Sequence, residues 1–444
     1  MSTSLLLRGG VIVTMNDRFD IVEGDVSIRD GRIAAIGPNL DDRHDRTIQA
    51  RGGYVLPGLI QTHIHLCQTL FRGYADDLQL MDWLRTRVWP LEAAHTPRTL
   101  RAAARLAAVE LLTSGTTAVL TMETVHDTDA VFEAVAESGL RATIGKCMMD
   151  ADAEVPPRLL EQTERSLDES RALRKRWEGA ADGRIRAAFA PRFAVSCSRE
   201  LLEGVAELSA DQHALVHTHA SESQGEIAIV RARSGGLPNI AYLASVGLAS
   251  PRLCAAHCVW VDEHEQELLA RHDVKVMHCP GSNLKLGSGI APVAALRARG
   301  ITVSLGTDGA ACNNRLDLFE EMRLAATLQA TVVRPGAVDA RDALGMATRA
   351  GARTLGLDDR IGSIEVGKQA DLIVVDRDRP HLATAPDPYS ALVYAARGGD
   401  VRTTIVDGEV LVDDFAPCRV DPAEVLAEAR VAARDLAGRA GVSM

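Results

Sequence analysis

No stretch of the chain reaches the roughly 18–20 consecutive apolar residues that a membrane span requires. The opening MSTSLLLRGGVIVTM also has neither the basic start nor the long apolar core of a signal peptide. The expectation is a cytoplasmic protein whose first residues form a strand. Basic side chains are in deficit: 49 Lys and Arg stand against 60 Asp and Glu, a formal charge of −11. That argues against a nucleic-acid or anionic-membrane partner. The HxE…PCxxC zinc signature of nucleic-acid deaminases is missing as well. The eight cysteines (Cys67, Cys147, Cys197, Cys254, Cys258, Cys279, Cys312, Cys418) include no CxxC pair and no dense framework. Reduced, buried thiols are expected rather than disulfides. Internal repeats and low-complexity tracts are lacking too.

What is present is a 444-residue chain, long enough for a large α/β barrel with an accessory domain. Near the start, VIVTMND, DVSIRDGRIAAIG and TIQARGGYVLPG alternate with period two and break at Asp-Gly and Gly-Gly. The same texture returns in IGSIEVGKQADLIVVD and in VRTTIVDGEVLVDD, the latter a hairpin around Asp407-Gly408. Between these ends, eight apolar runs recur with helical patterns among them: 54–60, 116–120, 141–149, 184–191, 213–219, 252–258, 274–279 and 302–308. This alternation predicts a (β/α)8 TIM barrel with a small β-sandwich built from both chain ends. The expected division is residues 1–56 and 361–420 for the sandwich, 57–360 for a metal-binding barrel and 421–444 for an amphipathic C-terminal helix.

In such a barrel the chemistry sits at the C-terminal ends of the strands, and polar residues cluster there. His63 and His65 follow run one, Arg192 run four, and His217, His219 and Glu222 run five; His257, His278 and Asp308 close runs six, seven and eight. Side chains two apart on a strand point the same way, so His63 and His65 can reach one ion. His217 and His219 offer a second such pair. His219 is the favoured ligand because Glu222 follows three residues later and can fold back over the site. With Asp308 the set is three imidazoles and one carboxylate, which suits one divalent metal per chain, zinc or iron, with an open position for water. His257 is placed to orient that water.

The motifs PGLIQTHIH, HTHASE, AAHC, HCPGSNLKLGSGIAPV and LGTDGAACNN resemble the amidohydrolase superfamily, in its cytosine-deaminase-like, single-metal branch. Within it the chain is most similar to the methylthioadenosine/S-adenosylhomocysteine/5′-deoxyadenosine deaminases, whose relatives include s-triazine hydrolases. The resemblance implies metal binding by His63, His65, His219 and Asp308 and proton shuttling by Glu222. His257 and Asp308 would hold the attacking water. It implies hydrolytic deamination of a purine-like small molecule, and relatives are commonly homo-oligomers. Glu92, in LMDWLRTRVWPLEAAHT, matches the family residue that accepts both ribose hydroxyls, with Trp83 beside it. His278 and Asn283 would contact the base edge, and Arg158 holds a position able to reach an anionic tail. Two features depart from the adenosine-type pattern. Pro191-Arg192-Phe193 and Gln68 resemble guanine deaminases, where such an Arg and Gln read the base and the Phe packs on its ring. Two alternatives stay open: a deaminase of a free purine or pterin base, and an s-triazine hydrolase. A binuclear site would need a carboxylated lysine, for which Lys146 is the barrel candidate.

Overall fold

The computed structural model describes residues 4–41, 43–151 and 154–442. Its first strands are β1 (Ser4–Val13), β2 (Ile21–Arg29), β3 (Arg32–Gly37), β4 (Arg46–Gln49) and β5 (Gly53–Pro57). Eight parallel strands follow: β6 (Leu59–Ile64), β7 (Thr116–Met122), β8 (Arg141–Met148), β9 (Ile185–Pro191), β10 (Val216–Ala220), β11 (Leu253–His257), β12 (Lys275–His278) and β13 (Val303–Leu305). They pair in sequence order from β6 to β13. The seam between the last and first is bridged where the Asp308 N–H donates to the His63 carbonyl at 3.0 Å and the Thr62 hydroxyl to the Leu305 carbonyl at 2.9 Å. This is the expected (β/α)8 barrel.

The remaining strands are β14 (Leu372–Asp376), β15 (Val401–Val406), β16 (Glu409–Asp413) and β17 (Ala416–Pro417). They join β1–β5 in one hydrogen-bonded mixed sheet of nine strands, the small β domain expected from both chain ends. Its continuity depends on β1. That strand's pairing with β2 shifts register between Leu7 and Gly10, around Gly9 at φ +73°. The half before the break then pairs with β4 and the half after it with β5. The sheet continues through β1 and closes on its own apolar core of Leu5, Leu7, Ile12, Val26, Val55, Leu372 and Val374.

One expected strand is two. Residues 54–60 read as a single barrel strand, but the run divides at Gly58. Gly53–Pro57 pairs antiparallel with β14, whereas Leu59–Ile64 pairs parallel with β7. A Cβ at residue 58 would lie 2.0 Å from the Thr117 hydroxyl oxygen, so only glycine fits where the chain changes sheet. The two bodies are further joined by Arg141 of β8. Its guanidinium donates to both Asp371 carboxylate oxygens, at 2.7 and 2.9 Å, deep in the interface.

Above the barrel mouth, residues 66–96 form a strap of short helical turns pinned by Phe71, Trp83 and Trp89. The C-terminal helix, Pro422–Ala440, packs on the helix Pro97–Thr113 that follows this strap, and Arg439 donates to the Ala94 carbonyl at 3.0 Å. Seven of the eight cysteines are buried, all eight are free, and Cys418 is exposed.

Candidate metal centre and substrate cleft

The structure brings ligand atoms of His63, His65, His219 and Asp308 within 4.8 Å of one another at the C-terminal mouth of the barrel. His63 lies on β6, His65 just beyond it, His219 on β10 and Asp308 three residues past β13. Gly306 makes the approach of β13 possible, since a Cβ there would sit 2.5 Å from the His63 carbonyl oxygen.

Hydrogen bonds settle which ring nitrogens face inward. His65 Nδ1 donates to the Met122 carbonyl and His219 Nδ1 to the Arg192 carbonyl, each at 2.7 Å. A carbonyl only accepts, so Nε2 of each ring carries the lone pair. Those two Nε2 atoms are 3.2 Å apart. Asp308 Oδ1 lies 3.2 Å from His65 Nε2 and 3.3 Å from His63 Nε2, and the latter has no hydrogen-bond partner. Lone pairs converging this closely repel unless a cation lies among them. The donor set fits a divalent metal, with the outer nitrogens anchored as metal-binding histidines require. Charge state agrees: burial lowers His63 to about 4 against the pull of Asp308 and holds His219 well below its ordinary value. Burial alone would raise the Asp308 carboxyl, but the His63 and His65 imidazoles keep it well below the usual carboxylate range. His217 is not in the cluster; its Nε2 lies 2.6 Å from His63 Nδ1 and orients that ring from behind.

Beside the cluster stand the proton-bearing groups. Ser221, at φ +55°, turns the chain after β10 and brings Glu222 back over the mouth. Glu222 Oε1 accepts from the Ser288 hydroxyl at 3.0 Å, and Oε2 lies 3.5 Å from His257 Nε2. Burial raises the Glu222 carboxyl although His257 opposes it. Burial would lower His257, but Glu222 and Asp308 outweigh it and leave the imidazole raised. His257 Nδ1 donates to Asn283 Oδ1 at 2.8 Å, and the Ser282 hydroxyl donates to Asp308 Oδ2 at 2.7 Å. His278 is buried with neither ring nitrogen partnered, and burial lowers it to about 3.

A narrow cleft opens onto His65, His219, Glu222 and Asp308. Leu80, Trp83, Leu84, Phe193 and Leu286 form its apolar walls, and Arg192 lines it as well. Gln68 and Glu92 are buried next to Arg192: Glu92 accepts from Arg192 Nη1 at 2.6 Å, from Nη2 at 3.2 Å and from Gln68 Nε2 at 3.1 Å. Two cationic residues singled out in the sequence lie elsewhere. Arg158 is exposed, donates to the His95 carbonyl at 3.0 Å and does not line the cleft. Lys146 is buried against Glu161 at 2.6 Å, so it is committed to an ion pair rather than to a second metal.

Two carboxylates that shape the site escaped sequence reasoning. Glu123 accepts the N–H groups of Leu66 and Cys67, directly after His65. Glu226 accepts those of Ser221, Glu222 and Ser223. Burial lifts both to about 7, with nearby Glu222 adding to the rise at Glu226. The one available signal was the capping box formed by Ser223 and Glu226 in SESQGE.

A sequence profile of the Amidohydrolase family matches residues 54–411, and the chain belongs to that family. It is 42% identical over 438 residues to the 5′-deoxyadenosine deaminase of Methanosarcina acetivorans, covering 98% of this chain and 99% of that protein. It is 42% identical over 449 residues to the 5-methylthioadenosine/S-adenosylhomocysteine deaminase of Halobacterium salinarum, covering 99% and 100%. Among solved structures, an adenosine deaminase from Xanthomonas campestris with bound zinc superposes with a TM-score of 0.92 at 35% identity, covering 98% and 99%. The His–His–His–Asp cluster is accordingly a candidate divalent-metal site.

Proposed function

We propose that the protein is a zinc-dependent aminohydrolase that deaminates an adenosine-like nucleoside: 5′-deoxyadenosine, methylthioadenosine or S-adenosylhomocysteine. The observation that carries this reading is the position of Glu222, a buried acid aimed into the cleft beside three imidazoles and Asp308. His63, His65, His219 and Asp308 would hold the metal. When bound, it supplies Lewis acidity that brings the pKa of water towards neutrality.

The chain's own groups do the rest. Asp308 and His257 orient the water, and Asp308 takes its proton. Glu222, whose carboxyl burial raises above its ordinary value, delivers a proton to the ring nitrogen beside the amine-bearing carbon. As the ring carbonyl forms and the C–N bond breaks, Glu222 takes up the proton of the added hydroxyl and passes it to the departing ammonia. The proton held by Asp308 then restores Glu222. Trp83 and Phe193 pack on the ring, His278 takes its edge, and Glu92 serves the ribose. The apolar walls exclude bulk water from the reacting carbon.

A second reading, a deaminase of free purine or pterin bases, draws on Arg192, a permanently charged donor in the cleft wall that would favour a carbonyl edge. An ammonia-release screen separates the two, with metal analysis alongside. It would cover 5′-deoxyadenosine, methylthioadenosine, S-adenosylhomocysteine, adenosine, guanine, 8-oxoguanine and pterins. Turnover confined to the nucleosides supports the main reading, and turnover confined to free bases overturns it. Glu222→Gln should keep its metal and lose about 100- to 10,000-fold in turnover.

A further inference from the structure

Asp308 and His257, to which the proposed reaction gives the water, both stand on left-handed backbone. Asp308 lies at φ +63° and His257 at φ +72°, where residues with a Cβ are seldom found. Such a conformation persists only where the surroundings hold it. The short helix Pro280–Lys285 holds both side chains. Its Ser282 hydroxyl donates to Asp308 Oδ2 at 2.7 Å, and its Asn283 Oδ1 accepts from His257 Nδ1 at 2.8 Å. Asp308 Oδ1 is thereby left to face His63 and His65.

An acid on another element fixes this helix. Glu321, in the first turn of the helix Leu318–Val332, is 1% exposed. Its Oε2 accepts the Gly281 N–H at 2.9 Å, one of the first-turn donors for which a helix has no acceptor of its own. Its Oε1 accepts from the Asn313 amide at 2.8 Å, and the same amide nitrogen donates to the Thr307 carbonyl, also at 2.8 Å. Thr307 immediately precedes Asp308. The approach at Gly281 is tight: a Cβ there would lie 2.5 Å from Glu321 Oε1 and 2.8 Å from Asn313 Nδ2. One carboxylate therefore ties the segment that bears Asp308 to the helix that holds Asp308 and His257. Glu321 does not line the cleft, so it reaches the reaction through these groups and not by contact.

Resting on the aminohydrolase reading above, we infer that Glu321 is a positioning residue for the pair Asp308 and His257. It sets the Pro280–Lys285 helix against the Thr307–Asp308 segment. Ser282 and Asn283 pass that placement on to the carboxylate and the imidazole. Without Glu321, Ser282 loses its line to Oδ2, and the Asp308 carboxylate can rotate away from both the imidazoles and the water. A merely structural acid would instead lower the amount of folded protein and leave the kcat and metal affinity of the folded fraction as they were.

A double-mutant cycle of Glu321→Ala and Ser282→Ala on the full chain tests this. Zinc affinity of the apoproteins, measured against a competing chelator, is the first readout and needs no substrate. Each single replacement should weaken it about 10-fold or more, and the double should be no weaker than the worse single. Ammonia release from 5′-deoxyadenosine at saturating zinc is the second. There kcat should fall at least about tenfold with KM within about threefold of wild type, the double again matching the worse single. Asn313→Ala cuts the link to Thr307 and takes the place of Glu321→Ala in the cycle should that variant fail to fold. Wild-type zinc affinity or wild-type kcat in the Glu321→Ala or Asn313→Ala protein overturns the inference. So do losses that multiply in full in the double variant. A wild-type protein that releases no ammonia ends the aminohydrolase reading instead, and the chelator cycle then decides the coupling of Glu321 to Ser282 by itself.

Discussion

Glu226 Oε2 accepts the backbone N–H of Glu222 at 2.8 Å, so one buried acid aims another. Glu226 also takes the N–H groups of Ser221 and Ser223 and the side-chain amide of Asn239. It therefore anchors the whole turn that follows β10. Replacing it with alanine leaves these donors unpaired, at about 1–3 kcal/mol each where water cannot reach them. Glu226→Ala should lower kcat by at least about tenfold, while the metal content read by elemental analysis stays at the wild-type level. Unchanged kcat would show that the turn aims Glu222 without help.

The His217–His219 pair yields a contrast between two adjacent imidazoles. His219→Ala removes a converging lone pair and should abolish stoichiometric metal binding. His217→Ala removes only the partner behind His63, so metal should still bind with affinity reduced about 10- to 100-fold. Titration of the apoproteins with a competing chelator measures both. Full occupancy in His219→Ala would move the ligand role to His217.

Arg141 and Asp371 form a bidentate ion pair with side chains 3% and 2% exposed. Asp371→Ala strands a buried guanidinium and should cost about 3–5 kcal/mol in urea-induced unfolding. The double replacement Arg141→Met with Asp371→Leu should recover most of that loss, since the uncompensated charge is gone. A double variant no more stable than the single one would mean that the pair contributes beyond mutual neutralisation.

Burial lifts the Glu321 carboxyl from an ordinary 4.5 to about 8, although it accepts from the Gly281 N–H and the Asn313 amide. Between those values the folded chain holds a proton that the unfolded chain has released. Stability from this group therefore falls as pH rises from 4.5 to 8, by up to about 1.4 kcal/mol per pH unit. Glu321→Gln should flatten that part of the stability–pH curve followed by thermal unfolding. An unchanged slope would assign it to other acids.

Much of the metal cluster was legible because its logic is local. His63-x-His65 depends on strand alternation, and His219 is distinguished from His217 by the acid three residues on. The barrel was legible from its recurring apolar runs. What was hidden depends on geometry that no local pattern carries. Residues 54–60 carry a Pro57-Gly58 break, but that the two sides of it belong to different sheets depends on pairing partners far away in sequence. Glu123 and Glu226 act on backbone amides whose directions exist only once the turns have formed. Arg192 and Glu92 each read as a separate substrate contact, because a pairing across one hundred residues leaves no trace in either neighbourhood. Arg158 was read as able to reach a substrate tail; in the structure one of its guanidinium N–H groups donates to the His95 carbonyl, a contact that no local pattern announces.

Strand β5 pairs with β14, so that Pro57 lies opposite Leu372. The intervening chain of roughly 300 residues takes a ribosome on the order of 15–60 s to make. Through that interval β5 emerges with one edge bare and apolar, a ready template for another nascent chain. The nine-stranded sheet therefore closes only after the whole barrel has been made.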